Sequence, residues 1–123
     1  MNKYLILIAA VVLFAAGCTS SEDYILIEEP GALKKHAGEN VIVTGNISNI
    51  IWQHIMGHFE EYPYDYYFDI GDSQIVIYSK KPINTAKSIR VYGEVVEISD
   101  KAKGDPRKDY SEYHILVDDW EKI

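Results

Sequence analysis

Near the middle of the chain, His54 and His58 stand four residues apart with Glu60 and Glu61 close behind. On a helix the two imidazoles would share one face, with carboxylate oxygens available beside them, a pattern that binds metal. The surrounding sequence opposes that helix. Gly57 interrupts it, and Gln53 to Pro63 shows no clean apolar period, so the stretch reads as a loop. Two histidines without a third placed ligand, a cysteine partner or a His-Glu-x-x-His spacing rarely define a site. The expectation is two exposed loop histidines and no resident metal or cofactor. Asp65 and Asp69 resemble paired acids in type, but their spacing puts both on the solvated face of a strand. There is no Gly-x-Ser-x-Gly and no phosphate-cradling glycine loop, and the only cysteine, Cys18, lies far from these groups. With no nucleophile or base in place, no reaction class follows, and the expectation is a non-enzyme.

Aromatic residues carry more information. Ten tyrosines in 123 residues exceed what one core needs, and Tyr62, Tyr64, Tyr66 and Tyr67 are nearly consecutive. Alternation sorts them. Tyr64, Tyr66, Phe68 and Ile70 share one parity and read as core, whereas Tyr67 points the other way with Asp65 and Asp69. Tyr78 likewise shares parity with Gln74 and Val76, opposite to Ile75 and Ile77.

These side chains must be positioned by strands. The run Val41 to Ile51 is written a second time from Ile89 to Ile98: Val43 aligns with Val91, Gly45 with Gly93, Ile47 with Val95 and Ile50 with Ile98, without a gap. Each copy alternates apolar residues up to a glycine, where a strand can coil or bulge, then resumes with its apolar residues on the core side. Strands of this shape suit a small closed barrel. Between the copies, Tyr64 to Ile70 and Ser73 to Ser79 form a hairpin around Gly71-Asp72, and Lys80 to Lys87 is a connection with room for one helical turn. After the second copy, Ser99 to Ser111 reads as a polar loop, and a last strand places Tyr113, Ile115 and Val117 on one face. Ahead of the first copy, Tyr24 to Ile27 suggests an added strand. Pro30 then opens a short helix, with Leu33 and Ala37 on one face and Gly38 ending it.

Residues 1–17 have the order of an export signal: Lys3, an apolar run from Tyr4 to Phe14, then Ala15-Ala16-Gly17 before Cys18. The run is too short for the roughly 20 residues that span a bilayer. It resembles a prokaryotic lipoprotein signal ending in a lipobox. That resemblance implies cleavage before Cys18, lipid on Cys18, a tether over 18–22 and a protein anchored to the cell membrane or outer membrane. The folded domain then covers 23–123.

Five strands with a break, a short connection, after the third, and glycine-bent first and fourth strands, resemble the OB-fold, a mainly β five-stranded Greek-key barrel, here with a short N-terminal helix. More narrowly, the chain is similar to the anticodon-binding-like (tRNA anti-like) OB-fold domains. The resemblance implies that the first and fourth strands are neighbours, with the bends at Gly45 and Gly93 adjacent. It also implies a ligand surface on the second and third strands and flanking loops. That makes Tyr67 and Tyr78, with Trp52 and Tyr62 nearby, candidate stacking residues. Lys80, Lys101, Lys103, Arg107 and Lys108 become the basic border.

Charge decides between ligands. Twelve Lys and Arg against nineteen Asp and Glu give −7, which opposes a general affinity for polyanions. The sign is uneven: residues 22–72 carry ten acids and two bases, 80–108 eight bases and four acids, and 109–123 five acids and one base. A basic patch with aromatics can hold a single-stranded nucleic acid. The flanking Asp65, Asp69, Asp100, Asp105 and Asp109 and the export signal favour instead a cell-envelope module for a protein or glycan partner. Nucleic acid is the alternative.

Overall fold

The computed structural model describes residues 24–102 and 105–123, with backbone alone for 100–102 and 105–109. The signal at 1–17, Cys18 and the tether at 18–22 therefore lie outside the described residues. Among the described residues no helix is long and apolar enough to cross a membrane.

The described residues form six strands, β1 (Ile25–Leu26), β2 (Asn40–Ile47), β3 (Tyr64–Ile70), β4 (Ser73–Ser79), β5 (Ile89–Ala102) and β6 (Asp105–Lys122), with one short 3-10 helix, Pro30–His36. Neighbours run β1-β2-β3-β4-β6-β5, and a further β2–β5 pairing closes the last five into a barrel. All contacts are antiparallel except β1–β2 and β4–β6, the latter matching Ile77 to Ile115 and Tyr78 to Leu116. The short apolar run at the N-terminus is the expected added strand. It lies on β2 at Ile25↔Val41 and Leu26↔Ile42.

The repeated strands pair with each other. In β2–β5 the register is Val41↔Gly93, Val43↔Val91 and Gly45↔Ile89, so the two copies are related by a local twofold through Val43 and Val91. The expected adjacency of the glycines is corrected by this register, because antiparallel pairing sends them to opposite ends of the ladder. Each serves a separate close approach. A Cβ on Gly45 would overlap the carbonyl oxygen of Asp69 in β3, and one on Gly93 would overlap that of Leu116 in β6, next to the register shift between Tyr92 and Gly93. Beyond Ile47 the first copy does not continue as a strand. Ile50, expected on the core side, is instead exposed.

Inside the barrel, β-branched and aromatic side chains from every barrel strand meet: Val41, Val43, Phe68, Ile75, Ile77, Val91, Val95 and Ile115 among them. Such residues fit the pleated, half-buried surface. Leu33 and Ile83 are buried with this core. Leu33 comes from the 3-10 helix, which packs against β4, β5 and β6. At three residues per turn its buried position aligns with Pro30 and His36, so Ala37, expected beside it, is exposed. Lys80 to Ser88 forms no helical turn. Ile83 plugs the barrel there, its N–H donating to the Tyr66 hydroxyl at 2.9 Å.

Two further expectations are corrected. Tyr64 is exposed, because the first half of β3 runs past the β2 pairs at Asn46↔Asp69 and Ile47↔Phe68 and has only β4 beside it. Ser99 to Ser111 is no loop. β5 and β6 continue as a two-stranded ribbon through Ser99↔Ser111 and Asp100↔Tyr110 to Ala102↔Asp105. An antiparallel pair satisfies its own backbone whatever the polarity of its side chains. Ser99 Oγ and Ser111 Oγ add a 3.0 Å contact across it, and Ser111 Oγ donates to Glu97 at 2.8 Å.

Candidate functional site

The segment 48–63 has no regular structure, yet it covers the outer face of β4 and the adjoining part of β6. Ser48 N–H donates to the Tyr67 carbonyl at 2.8 Å and sets its start. From there side chains of the barrel hold it. Gln74 Nε2 donates to the Ile50 carbonyl at 2.7 Å, and Gln74 Oε1 accepts from Trp52 N–H at 3.1 Å. Glu112 Oε2 accepts from Ile55 N–H at 3.0 Å, and the Tyr78 hydroxyl accepts from Gly57 N–H at 3.0 Å. Phe59 packs edge-on to the Tyr78 ring, with centroids 5.0 Å apart.

This cover buries both faces of β4. Alternation along the strand is intact, since Ile75 and Ile77 belong to the barrel core while Gln74, Val76 and Tyr78 face the other way. The second face is simply not solvent. Tyr78, expected as an exposed stacking residue, is 1% exposed and offers no face to a ligand.

Under the cover lies a polar chain that long-range folding assembles. His54 comes from the cover, and Glu112 and His114 alternate on β6. Glu112 Oε1 is 2.9 Å from His54 Nδ1 and 2.9 Å from His114 Nε2. His54 Nε2 lies 2.9 Å from Gln74 Oε1, and Gln74 Nε2 also donates to Asp69 Oδ1 at 2.9 Å. His114 Nδ1 lies 3.0 Å from the Tyr78 hydroxyl. The two imidazoles stand edge to face, 5.9 Å apart, and Tyr67 lies against His54 at 5.8 Å. His54 is thus no exposed loop histidine: its side chain is 9% exposed, whereas His58 is exposed as expected.

The electrostatics follow from burial and pairing. Desolvation pushes the Glu112 carboxyl upward, but hydrogen bonds from His54, the Ile55 N–H and His114 together bring it below its ordinary value. Desolvation lowers His114, opposed by Glu112. Burial raises Tyr78, with the Gly57 N–H acting against it. The three ligand atoms of His54, Glu112 and His114 all lie within 4.8 Å of one another.

The remaining predicted ligand residues are dispersed. Tyr67 is half-buried beside His54. Trp52 is 49% exposed on the cover, next to the exposed Ile50 and Ile51. Tyr62 is half-buried, with Lys80 Nζ 5.3 Å from its ring centroid, so these two engage each other. Lys103 lies outside the described residues, as do the side chains of Lys101, Arg107 and Lys108. Asp65 is exposed, and Asp69 serves Gln74 rather than pairing with it as a second acid. Sequence reasoning passed over Glu112, His114 and Gln74. The available signal was the Glu-x-His alternation on the last strand, off the parity of Tyr113, Ile115 and Val117.

Compared with known proteins, the chain matches no family model and no curated protein. Its fold defines the class: a small, mainly β protein whose described residues form a closed five-stranded barrel, one added strand and one short helix.

Proposed function

We propose that the protein is an exported, lipid-anchored binding module built on an OB-fold Greek-key barrel, acting by holding a protein or glycan partner rather than by catalysis. The strand order supports the OB reading: β2, β3, β4, β6 and β5 close in a ring, and a five-stranded Greek-key barrel of this kind binds ligands at its second and third strands and the adjoining loops. Here those strands are β3 and β4, and the chain's own cover occupies part of that side.

The observation that carries the proposal is the outer surface of the cover. Ile50, Ile51 and Trp52 are consecutive and 67%, 68% and 49% exposed, while the backbone groups of Ile50 and Trp52 are pinned to Gln74. A held run of large apolar side chains loses little entropy on binding and favours contact with a partner. Tryptophan is also a frequent energetic anchor in such contacts and offers a face to a sugar ring.

A photo-activatable residue at position 51 of the full chain in its native membrane tests this, with position 87 as an exposed control. The expected result is a discrete adduct from position 51 alone, and a partner affinity that falls by about 1 kcal/mol or more on Trp52→Ala. Equal adducts from both positions, or affinity unchanged by Trp52→Ala, would refute the surface. An adduct removed by nuclease, with affinity falling steeply in salt, would establish nucleic acid as the ligand instead.

A further inference from the structure

We propose that His54 Nδ1, His114 Nε2 and a carboxylate oxygen of Glu112 form a binding site for a divalent first-row transition cation of the zinc type. The three atoms lie within 4.8 Å of one another, with Oε1 of Glu112 2.9 Å from each nitrogen. A tetrahedral ion with bonds of about 2.0–2.1 Å keeps neighbouring ligand atoms about 3.3 Å apart, so these two contacts lengthen by about 0.4 Å on binding. The two nitrogens, within 4.8 Å of each other, must come to the same spacing. The irregular cover that carries His54 supplies that movement, and Glu112, whose side chain is 30% exposed, turns aside to make room, while His114 is 1% exposed and stays with the barrel.

What distinguishes this trio from a chance meeting of polar groups is that the second nitrogen of each ring is already held. Gln74 cannot present its amide the other way round: its Nε2 donates to the Ile50 carbonyl and to Asp69, and its Oε1 accepts from Trp52 N–H. The oxygen therefore faces His54 Nε2, which carries the ring proton, and Nδ1 is the nitrogen aimed at the site. On the other side the Tyr78 hydroxyl already accepts from Gly57 N–H. A hydroxyl has two lone pairs, so it also accepts from His114 Nδ1–H when Nε2 turns to an ion. Outer partners of this kind fix the tautomer and the orientation of imidazole ligands.

Donor chemistry selects the ion. Two imidazoles and one carboxylate suit zinc and its neighbours, while calcium and magnesium take oxygen ligands. Three protein ligands leave a fourth position, and the trio borders a cleft of about 500 Å³ that also reaches Gln74 and Ser111. Water or an anionic group can approach there. Because His54 belongs to the cover and the other two ligands to β6, the ion also ties the cover to the barrel. This holds whether or not the surface at Trp52 binds a partner.

The test uses the full chain without a histidine tag, in detergent micelles, stripped by chelator and titrated with Zn2+ by calorimetry and with Co2+ by visible absorbance. One saturable equivalent is expected, with ligand-field bands of a low-coordinate Co2+ site and a melting temperature raised by Zn2+. His54→Ala and Glu112→Gln should each weaken binding by at least about tenfold, and Tyr78→Phe, which keeps the ring and removes only the hydroxyl, by about tenfold. His58→Ala should bind as the wild type does. His54→Ala alters only the cover, so its fold, followed by circular dichroism, is the one least at risk. The proposal is overturned if the stripped protein takes up neither cation at about 100 μM. It is equally overturned if His54→Ala and Glu112→Gln bind undiminished, or if His58→Ala loses as much as His54→Ala.

Discussion

Adding a single carbon at Gly45 probes how the barrel is closed. β2 leaves its partner β5 after Gly45↔Ile89 and passes to β3, where Asn46↔Asp69 and Ile47↔Phe68 carry the pairing. A Cβ at Gly45 would overlap the Asp69 carbonyl oxygen and stand 3.0 Å from Cε2 of Phe68. The first obstacle is backbone within a ladder and the second a fully buried ring, so neither can swing aside cheaply. Overpacking of this kind costs about 1–3 kcal/mol, and the loss of one hydrogen bond from a pairing this short adds about 1 kcal/mol, giving about 2–4 kcal/mol for Gly45→Ala. Gly93→Ala should cost a similar amount, since its Cβ meets the Leu116 carbonyl and, at 2.7 Å, Ile115 Cγ2. Gly31 is the control: nothing lies within 4 Å of its added Cβ. There an alanine should leave stability unchanged or raise it by less than about 1 kcal/mol. Urea melts of the three variants, read as midpoints at constant slope, measure the differences. If Gly45→Ala and Gly93→Ala both melt within about 0.5 kcal/mol of wild type, the close approaches are not what the glycines are for, and the account of barrel closure fails.

Replacing Gln74 by leucine should unpair Trp52 N–H, the Ile50 carbonyl, Asp69 and His54 together, costing about 2 kcal/mol and speeding proteolytic cutting within residues 48–63; cutting at the wild-type rate would show that the cover is held by other means. From the sequence around Cys18, mass spectrometry of membrane-extracted protein should find a lipid-modified terminus at that residue, and Cys18→Ala should release the chain from the membrane; a mature terminus elsewhere removes the proposed anchor.

How far the sequence reaches can be traced residue by residue. The copies at Val41 and Ile89 announced two strands of one shape, because a repeated alternation presents the same residues to a shared core, whereas their being neighbours was only what the OB-fold resemblance implied. The hairpin around Gly71-Asp72 was legible for the same local reason. Tyr64 and Tyr78 were misplaced by the same rule that placed Phe68 and Ile77. Parity tells which face a residue takes, whereas burial depends on what lies over that face. For Tyr78 that is Phe59 and Gly57, supplied by a stretch without any period. Ser99 to Ser111 was misread because a ribbon that pairs with itself needs no apolar side chains to persist. The polar cluster was out of reach for a further reason. His54 and Glu112 are 58 residues apart in sequence, and only barrel closure makes them neighbours.

The way the cover is attached sets the terms on which anything else can use the barrel surface beneath it. Residues 50–57 meet that surface through the side chains of Gln74, Glu112 and Tyr78, as an extended peptide would lie against a receptor. The cover is in effect a ligand tied to its own receptor by a short chain, and a tether of this length holds it at an effective concentration on the order of millimolar. A free molecule seeking the face of β4 competes with that concentration before it gains anything from its own contacts. The fold thereby excludes weak ligands from its inner polar groups while leaving the outside of the cover available to all comers.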